Sequence, residues 1–161
     1  MTRGDTGAFD AGLRFRLLDS RAVVPGRHSD DAAGFDLAAC LPRGAIEGGS
    51  VMLHPGRILA VPTGVSMSLN RGWEGQVRAR SGLAIRHGIA IPNAPGTIDA
   101  DYRGELLVGL INLGRESFEI AHGMRVAQLV VAPVWSGQPA VVDQLDATAR
   151  GEGGFGSSGL R

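Results

Sequence analysis

The 161-residue chain has no lysine: all sixteen basic residues are arginine, and sixteen acidic residues bring the formal charge to zero. Without an overall positive field, non-specific capture of nucleic acid has no driving force, so an anionic ligand must be met locally. Arginine suits that task, because its fixed fork makes paired contacts to phosphate. The total itself reflects codon usage as readily as function, so only individual arginine sites carry meaning. A single cysteine, Cys40, excludes an internal disulfide and a multi-cysteine metal site. It fits a reducing compartment, and its expected place is the core. No run of about 18 apolar residues and no basic-then-apolar leader is present, so no membrane span or secretory signal is expected and the expected location is the cytoplasm. Aromatic residues are few as well, and Tyr102 is the only tyrosine.

Glycine, by contrast, is abundant. Twenty-five glycines and eight prolines leave little room for long helices. Short apolar or alternating runs at residues 13–18, 35–40, 58–61, 65–69, 73–77, 106–112 and 125–131 are separated by Gly, Pro, Asn and Asp clusters, the pattern of short strands. The expected fold is therefore all-β, a sandwich or barrel of jelly-roll type in one domain spanning residues 1–161. One brief helix is expected at residues 82–87, with Ser81 as its N-cap and Gly88 ending it. Trp73 and Trp135 read as core or interface anchors. The four histidines, His28, His54, His87 and His122, are scattered and are assigned no role. Residues 1–12 lack periodicity and are expected to be disordered, and residues 150–161, rich in glycine and serine, are expected to form a flexible flap.

Three segments carry candidate chemistry. Residues 93–105, Asn-Ala-Pro-Gly-Thr-Ile-Asp-Ala-Asp-Tyr-Arg-Gly-Glu, set turn residues around carboxylates and the only tyrosine. Such a loop holds backbone amides and a base close together; the alternative is an ordinary hairpin with Asp99 and Asp101 in water. In Arg78-Ala79-Arg80-Ser81-Gly82-Leu83-Ala84 an arginine and a hydroxyl sit at the start of the expected helix, where unpaired amides and the helix dipole favour an anion. A capped surface helix with Arg80 in solvent is the competing reading. The tail, Arg150 to Gly159, isolates Phe155 among glycines with an arginine on one side and two serines on the other. That composition suits a flap that stacks on a base and grips phosphates, or else a terminus with an incidental phenylalanine.

Taken together the segments resemble the homotrimeric dUTPases, deoxyuridine 5′-triphosphate nucleotidohydrolases. Five motifs of that family stand in order between residues 32 and 159: Ala33-Gly34-Phe35-Asp36-Leu37, Arg80-Ser81-Gly82-Leu83-Ala84, the stretch from Gly96 to Glu105, Arg125-Val126-Ala127-Gln128-Leu129, and the tail. The resemblance implies Mg2+-dependent hydrolysis of dUTP to dUMP and pyrophosphate, which keeps uracil out of DNA and supplies dUMP for dTMP synthesis. It implies that Asp99 activates the attacking water, and that uracil and deoxyribose are bound by Asn93, Gly96, Thr97, Ile98, Asp99, Tyr102, Leu107 and Phe155. Tyr102 would exclude a 2′-hydroxyl. The phosphates would be held by Arg80, Ser81, Gly82, Gln128, Arg150, Gly156, Ser157 and Ser158. No residue would ligate Mg2+ directly; the triphosphate and water would hold it, with Asp36 supporting the water shell. Each active site would draw on three subunits, with no nucleic acid or membrane partner. Thr97 and Ser158 stand where the family often has an apolar residue and threonine, and Ala79 is a similarly mild departure. Two other readings remain: a dCTP deaminase of the same fold, and a non-catalytic nucleotide-binding trimer.

Overall fold

Alternation of buried and exposed residues builds two facing sheets. A computed structural model describes residues 10–42 and 49–154. Among them lie ten strands and one helix: β1 (Arg14–Leu17), β2 (Gly34–Ala38), β3 (Ser50–Leu53), β4 (Ile58–Ser68), β5 (Trp73–Ala79), α1 (Ser81–His87), β6 (Ile89–Ala90), β7 (Gly96–Ile98), β8 (Glu105–Asn112), β9 (Phe118–Ala121) and β10 (Arg125–Pro133). One sheet has the order β1-β4-β8-β6, the other β2-β10-β5-β7, and β3 pairs with β9 in a separate ribbon. Every pairing is antiparallel. The strand order departs from chain order throughout, as in a jelly-roll type sandwich.

The core lies between the sheets. Leu106, Val108 and Leu110 of β8 and Val61, Val65 and Met67 of β4 meet Leu37, Val77 and Leu129 from β2, β5 and β10 in one buried cluster. Burying each large aliphatic side chain contributes about 1.5–3 kcal/mol. The two-residue period of β8 that sends Leu106 and Val108 inward sends Leu107 outward, where it is 52% exposed. Cys40 packs in this interior as expected, and burial pushes its thiol above the ordinary range.

Several expectations need correction. Residues 58–61 and 65–69 were expected as two strands, yet β4 runs unbroken through Pro62, Thr63 and Gly64. The ladder to β8 slips register between Pro62 and Ser66 instead of ending, a bulge accommodated by Gly64 at φ +69°. A Cβ at Gly64 would stand 2.8 Å from Ala22 Cβ and 2.9 Å from Cys40 Sγ, so the close packing also requires glycine. The helix begins one residue early: Arg80, with φ −78° and ψ 126°, occupies the N-cap position and Ser81 is the first helical residue. The extended backbone of β5 simply continues through Arg80 before turning. Gly88 ends the helix in the left-handed conformation, φ 70°, as expected. Trp73 packs against the core, whereas Trp135 is 75% exposed and is no core anchor. Residues 10–12 are tied to Asn70, whose backbone and side-chain amides donate to Ala11 O and Asp10 O. Residues 1–9 and 155–161 lie outside the described residues, and with them Phe155, Gly156, Ser157 and Ser158.

Candidate active site

Two pockets form at opposite ends of β5. At its C-terminal end, strand pairing assembles charged groups remote in sequence. β10 lies between β2 and β5, so Gln128 stands opposite Asp36 on one side and Arg78 on the other. The Asp36 carboxylate accepts from Arg125 Nη1 at 2.9 Å and Gln128 Nε2 at 3.4 Å, and its Oδ1 lies 3.5 Å from Arg80 Nε. Arg80 Nη1 also donates to the Arg125 carbonyl at 3.1 Å. With its side chain only 11% exposed, Asp36 is the hub that fixes the direction of Arg80. Beside this brace a cavity of about 140 Å³ is lined by Arg80, Ser81, Gly82, Leu83, Arg86 and Gln128. No side chain caps α1; the Leu83 amide donates to Arg80 O at 3.0 Å, and the amides of Ser81 and Gly82 begin the helix, where such groups lack intrahelical partners. Amides, a hydroxyl and two guanidiniums therefore face a small space suited to phosphate oxygens.

At the other end, β7 pairs with β5 so that Gly96 faces Val77 and Ile98 faces Gly75. Asp99 follows directly. The Tyr102 amide donates to Asp99 O at 3.1 Å and closes a turn, the Tyr102 hydroxyl donates to Glu105 O at 2.9 Å, and Arg103 Nη1 donates to Ala100 O and Tyr102 O. The tyrosine ring lies so close over Gly104 that a Cβ there would collide with it. Thr97, Ile98, Asp99, Tyr102, Glu105 and Leu107 line a cavity of about 230 Å³. Asn93 lies behind it: a Cβ added at Gly96 would meet Asn93 Nδ2 at 3.3 Å, and one at Gly109 would meet Asn93 Oδ1 at 3.7 Å. A carboxylate, an aromatic ring and an apolar side chain thus border a space flanked by strand backbone.

The structure brings Arg80, Ser81, Gly82, Gln128 and Asp36 together, and separately Asn93, Gly96, Thr97, Ile98, Asp99, Tyr102 and Leu107. The two sets stay apart. Ile98 is level with Gly75 and Arg80 lies five residues further along, roughly 17 Å at the rise of a strand. The cavities share no lining residue. Arg150 joins neither; its Nε donates to Gly153 O at 2.8 Å. Arg86 emerges only from the structure as a participant, and Arg125 and Glu105, which stand in motifs without an assigned role, gain theirs from contacts to Asp36 and Gly64. Arg86 stands one turn after Gly82 on α1, a spacing that could have drawn attention to it; the other two depend on long-range pairing. Among the described residues no group of three or more His, Cys, Asp or Glu side chains could hold a metal ion.

A family model for dUTPase matches residues 20–159. The chain is 53% identical over 152 residues to a deoxyuridine 5′-triphosphate nucleotidohydrolase of Desulfotalea psychrophila, covering 92% of this chain and 97% of the relative. It is 48% identical over 148 residues to the enzyme of the same description from Syntrophotalea carbinolica, with the same coverage. The structure of Staphylococcus bacteriophage 80alpha dUTPase with dUpNHpp aligns with a TM-score of 0.81 at 28% identity, covering 92% of this chain and 98% of that one. With nearly the whole length matched and the two pockets in place, this chain belongs to the dUTPase family.

Proposed function

We propose that this dUTP diphosphatase cleaves dUTP to dUMP and pyrophosphate by attack of an Asp99-activated water on the α-phosphorus, at sites shared between the subunits of a homotrimer. The observation that carries the reading is the pocket in which the Asp99 carboxylate, the Tyr102 ring and Leu107 border one space at the end of β7. A carboxylate there is placed to take a proton from water, and phosphoryl transfer asks chiefly for such orientation and for stabilisation of charge. Strand backbone and Asn93 select uracil, and Tyr102 lies where it closes off a 2′-hydroxyl. Arg80, Ser81, Gly82 and Gln128 receive the phosphates, with Arg80 aimed by Asp36.

The roughly 17 Å along β5 between the level of Ile98, just before Asp99, and Arg80 supports the trimer. Each pocket of one subunit is completed by the other pocket of a neighbour, and the tail from Arg150 onward, with Phe155, Gly156, Ser157 and Ser158, closes over the nucleotide from a third. The donor set fits Mg2+ carried by the substrate, since this ion keeps much of its water and is commonly held by phosphates rather than by a protein cage. Triphosphate oxygens and water would hold it, with Asp36 reaching the water shell, and when bound it would offset charge on the phosphates. No helix among the described residues is long and apolar enough to cross a membrane, and the enzyme is expected to act in the cytoplasm, keeping uracil from DNA and supplying dUMP.

Steady-state assays with dUTP, dTTP, dCTP and UTP in the presence of Mg2+ test the reading. Pyrophosphate from dUTP with no ammonia from dCTP is the expected result. Ammonia from dCTP would replace it with a deaminase, and binding of dUTP without turnover would replace it with a nucleotide sensor.

A further inference from the structure

Glu105 links the nucleotide pocket to the bulge in β4. Its backbone carbonyl accepts the Tyr102 hydroxyl at 2.9 Å, and its Oε1 accepts the Gly64 amide at 2.7 Å across the slipped register of β4 and β8. Gly64, in the left-handed conformation, lies among the residues of β4 between Pro62 and Ser66 where the register slips. The bulge is a firm anchor. Its carbonyl accepts from the Leu18 amide at 2.7 Å, the neighbouring Thr63 hydroxyl donates to Leu106 O at 2.7 Å, and Ala22 and Cys40 fill the space where a side chain would be. Among the described residues three ion pairs are found, and Glu105 is in none of them. In a chain whose cations are all arginine, this carboxylate is matched to an amide instead, so what it supplies is position rather than charge neutralisation. Tyr102 is 41% exposed, and its ring rests on Gly104, with the hydroxyl bond to Glu105 O as its polar tether. The lateral position of the ring therefore follows that of the Glu105 backbone.

We propose that Glu105 is a positioning residue for Tyr102: by anchoring the start of β8 to the Gly64 bulge, it sets how firmly the tyrosine closes the pocket against a ribose 2′-hydroxyl. The proposal rests on the assignment of Tyr102 to the deoxyribose.

The test compares kcat and KM for dUTP and UTP, with melting temperatures, in the wild type, Glu105→Ala, Glu105→Gln, Tyr102→Phe and the Glu105→Ala/Tyr102→Phe double variant. Glu105→Ala is expected to raise the UTP-to-dUTP ratio of kcat/KM by about tenfold, the scale of one lost hydrogen bond to a charged group, with the dUTP effect mainly in KM. Glu105→Gln keeps an acceptor oxygen and should restore most of the discrimination. In the Tyr102→Phe background, alanine at 105 should add little, since both changes act through one contact. A wild-type ratio in Glu105→Ala, or an equal effect of alanine with and without the tyrosine hydroxyl, overturns the proposal while dUTP hydrolysis stands. Absence of dUTP hydrolysis in the wild type would overturn the functional reading and this one together. If the alanine variant does not fold, Glu105→Met, of similar length without the oxygen acceptor, takes its place under the same criteria.

Discussion

At one end of β5 a functional side chain is aimed by charge, and at the other by backbone. Arg80 takes its direction from Asp36, which also holds Arg125 and Gln128, so the proposed phosphate cradle depends on groups from β2, β5 and β10. Asp99 and Tyr102 take theirs from a turn, a carbonyl acceptor and the bare backbone of Gly104, all within one hairpin. On the proposed assignments, opposite demands explain the contrast. A polyphosphate is met by mobile cations that need a counter-charge to stay in place when the site is empty. Discrimination between sugars that differ by one hydroxyl needs a wall that does not yield.

Breaking the rigid side at its reactive group should have the largest effect. Asp99→Asn is expected to lower kcat on the order of 10²–10⁴-fold, the range for loss of a positioned general base, while calorimetric titration with dUpNHpp still shows binding. Unchanged turnover would remove Asp99 from its role. Deleting residues 150–161 comes next: hydrolysis should fall severely because the proposed flap excludes water and adds phosphate contacts, with sedimentation still reporting a trimer. Monomers would instead make the tail a structural arm. Breaking the charged side at its hub should be milder. Asp36→Asn leaves Arg80 and Arg125 in place without their counter-charge, and KM for dUTP should rise roughly tenfold, as for one charge-assisted contact, with kcat changing less. If kcat fell as far as in Asp99→Asn, Asp36 would belong with the chemistry rather than with Arg80.

The smallest effect belongs to a residue in neither pocket. Burial, and after it the nearby Asp19 carboxylate, raises the Cys40 thiol pKa. The folded state therefore keeps this proton to higher pH than the unfolded chain. The stability it contributes is intact below the ordinary thiol range and is lost as pH rises through that range and beyond. Melting curves from pH 7 to pH 10 should fall slightly more steeply for the wild type than for Cys40→Ala; parallel curves would show that the thiol is not perturbed.

The parts legible in the sequence were those that depend on neighbours along the chain. The run at residues 106–112 marked β8, Gly88 ended α1, and the turn residues around Asp99 marked a loop that borders a cavity. What escaped depends on partners far away. Pro62, Thr63 and Gly64 look like a strand break because nothing nearby reveals that Glu105, 41 residues on, will take the Gly64 amide. Ser81 looks like a cap because the sequence does not show β5 running extended through Arg80. Arg125, though part of a motif, has no assigned role until β2 and β10 pair and bring it to Asp36, 89 residues away. The β3-β9 ribbon, two four-residue strands joined far from each other in sequence, left no periodic signal long enough to read.

The length of β5 has one more consequence. Because a single strand separates the proposed water activation from the proposed phosphate capture, a defect in one chain of the proposed trimer would be felt at two different addresses: a damaged Asp99 would disable the site its own hairpin builds, while a damaged Arg80 would disable the site next door. Subunits carrying the two defects separately would, when mixed, assemble some sites in which an intact hairpin meets an intact cradle. In genetic terms, alleles at the two ends of β5 would complement one another within the protein itself, and alleles at the same end would not.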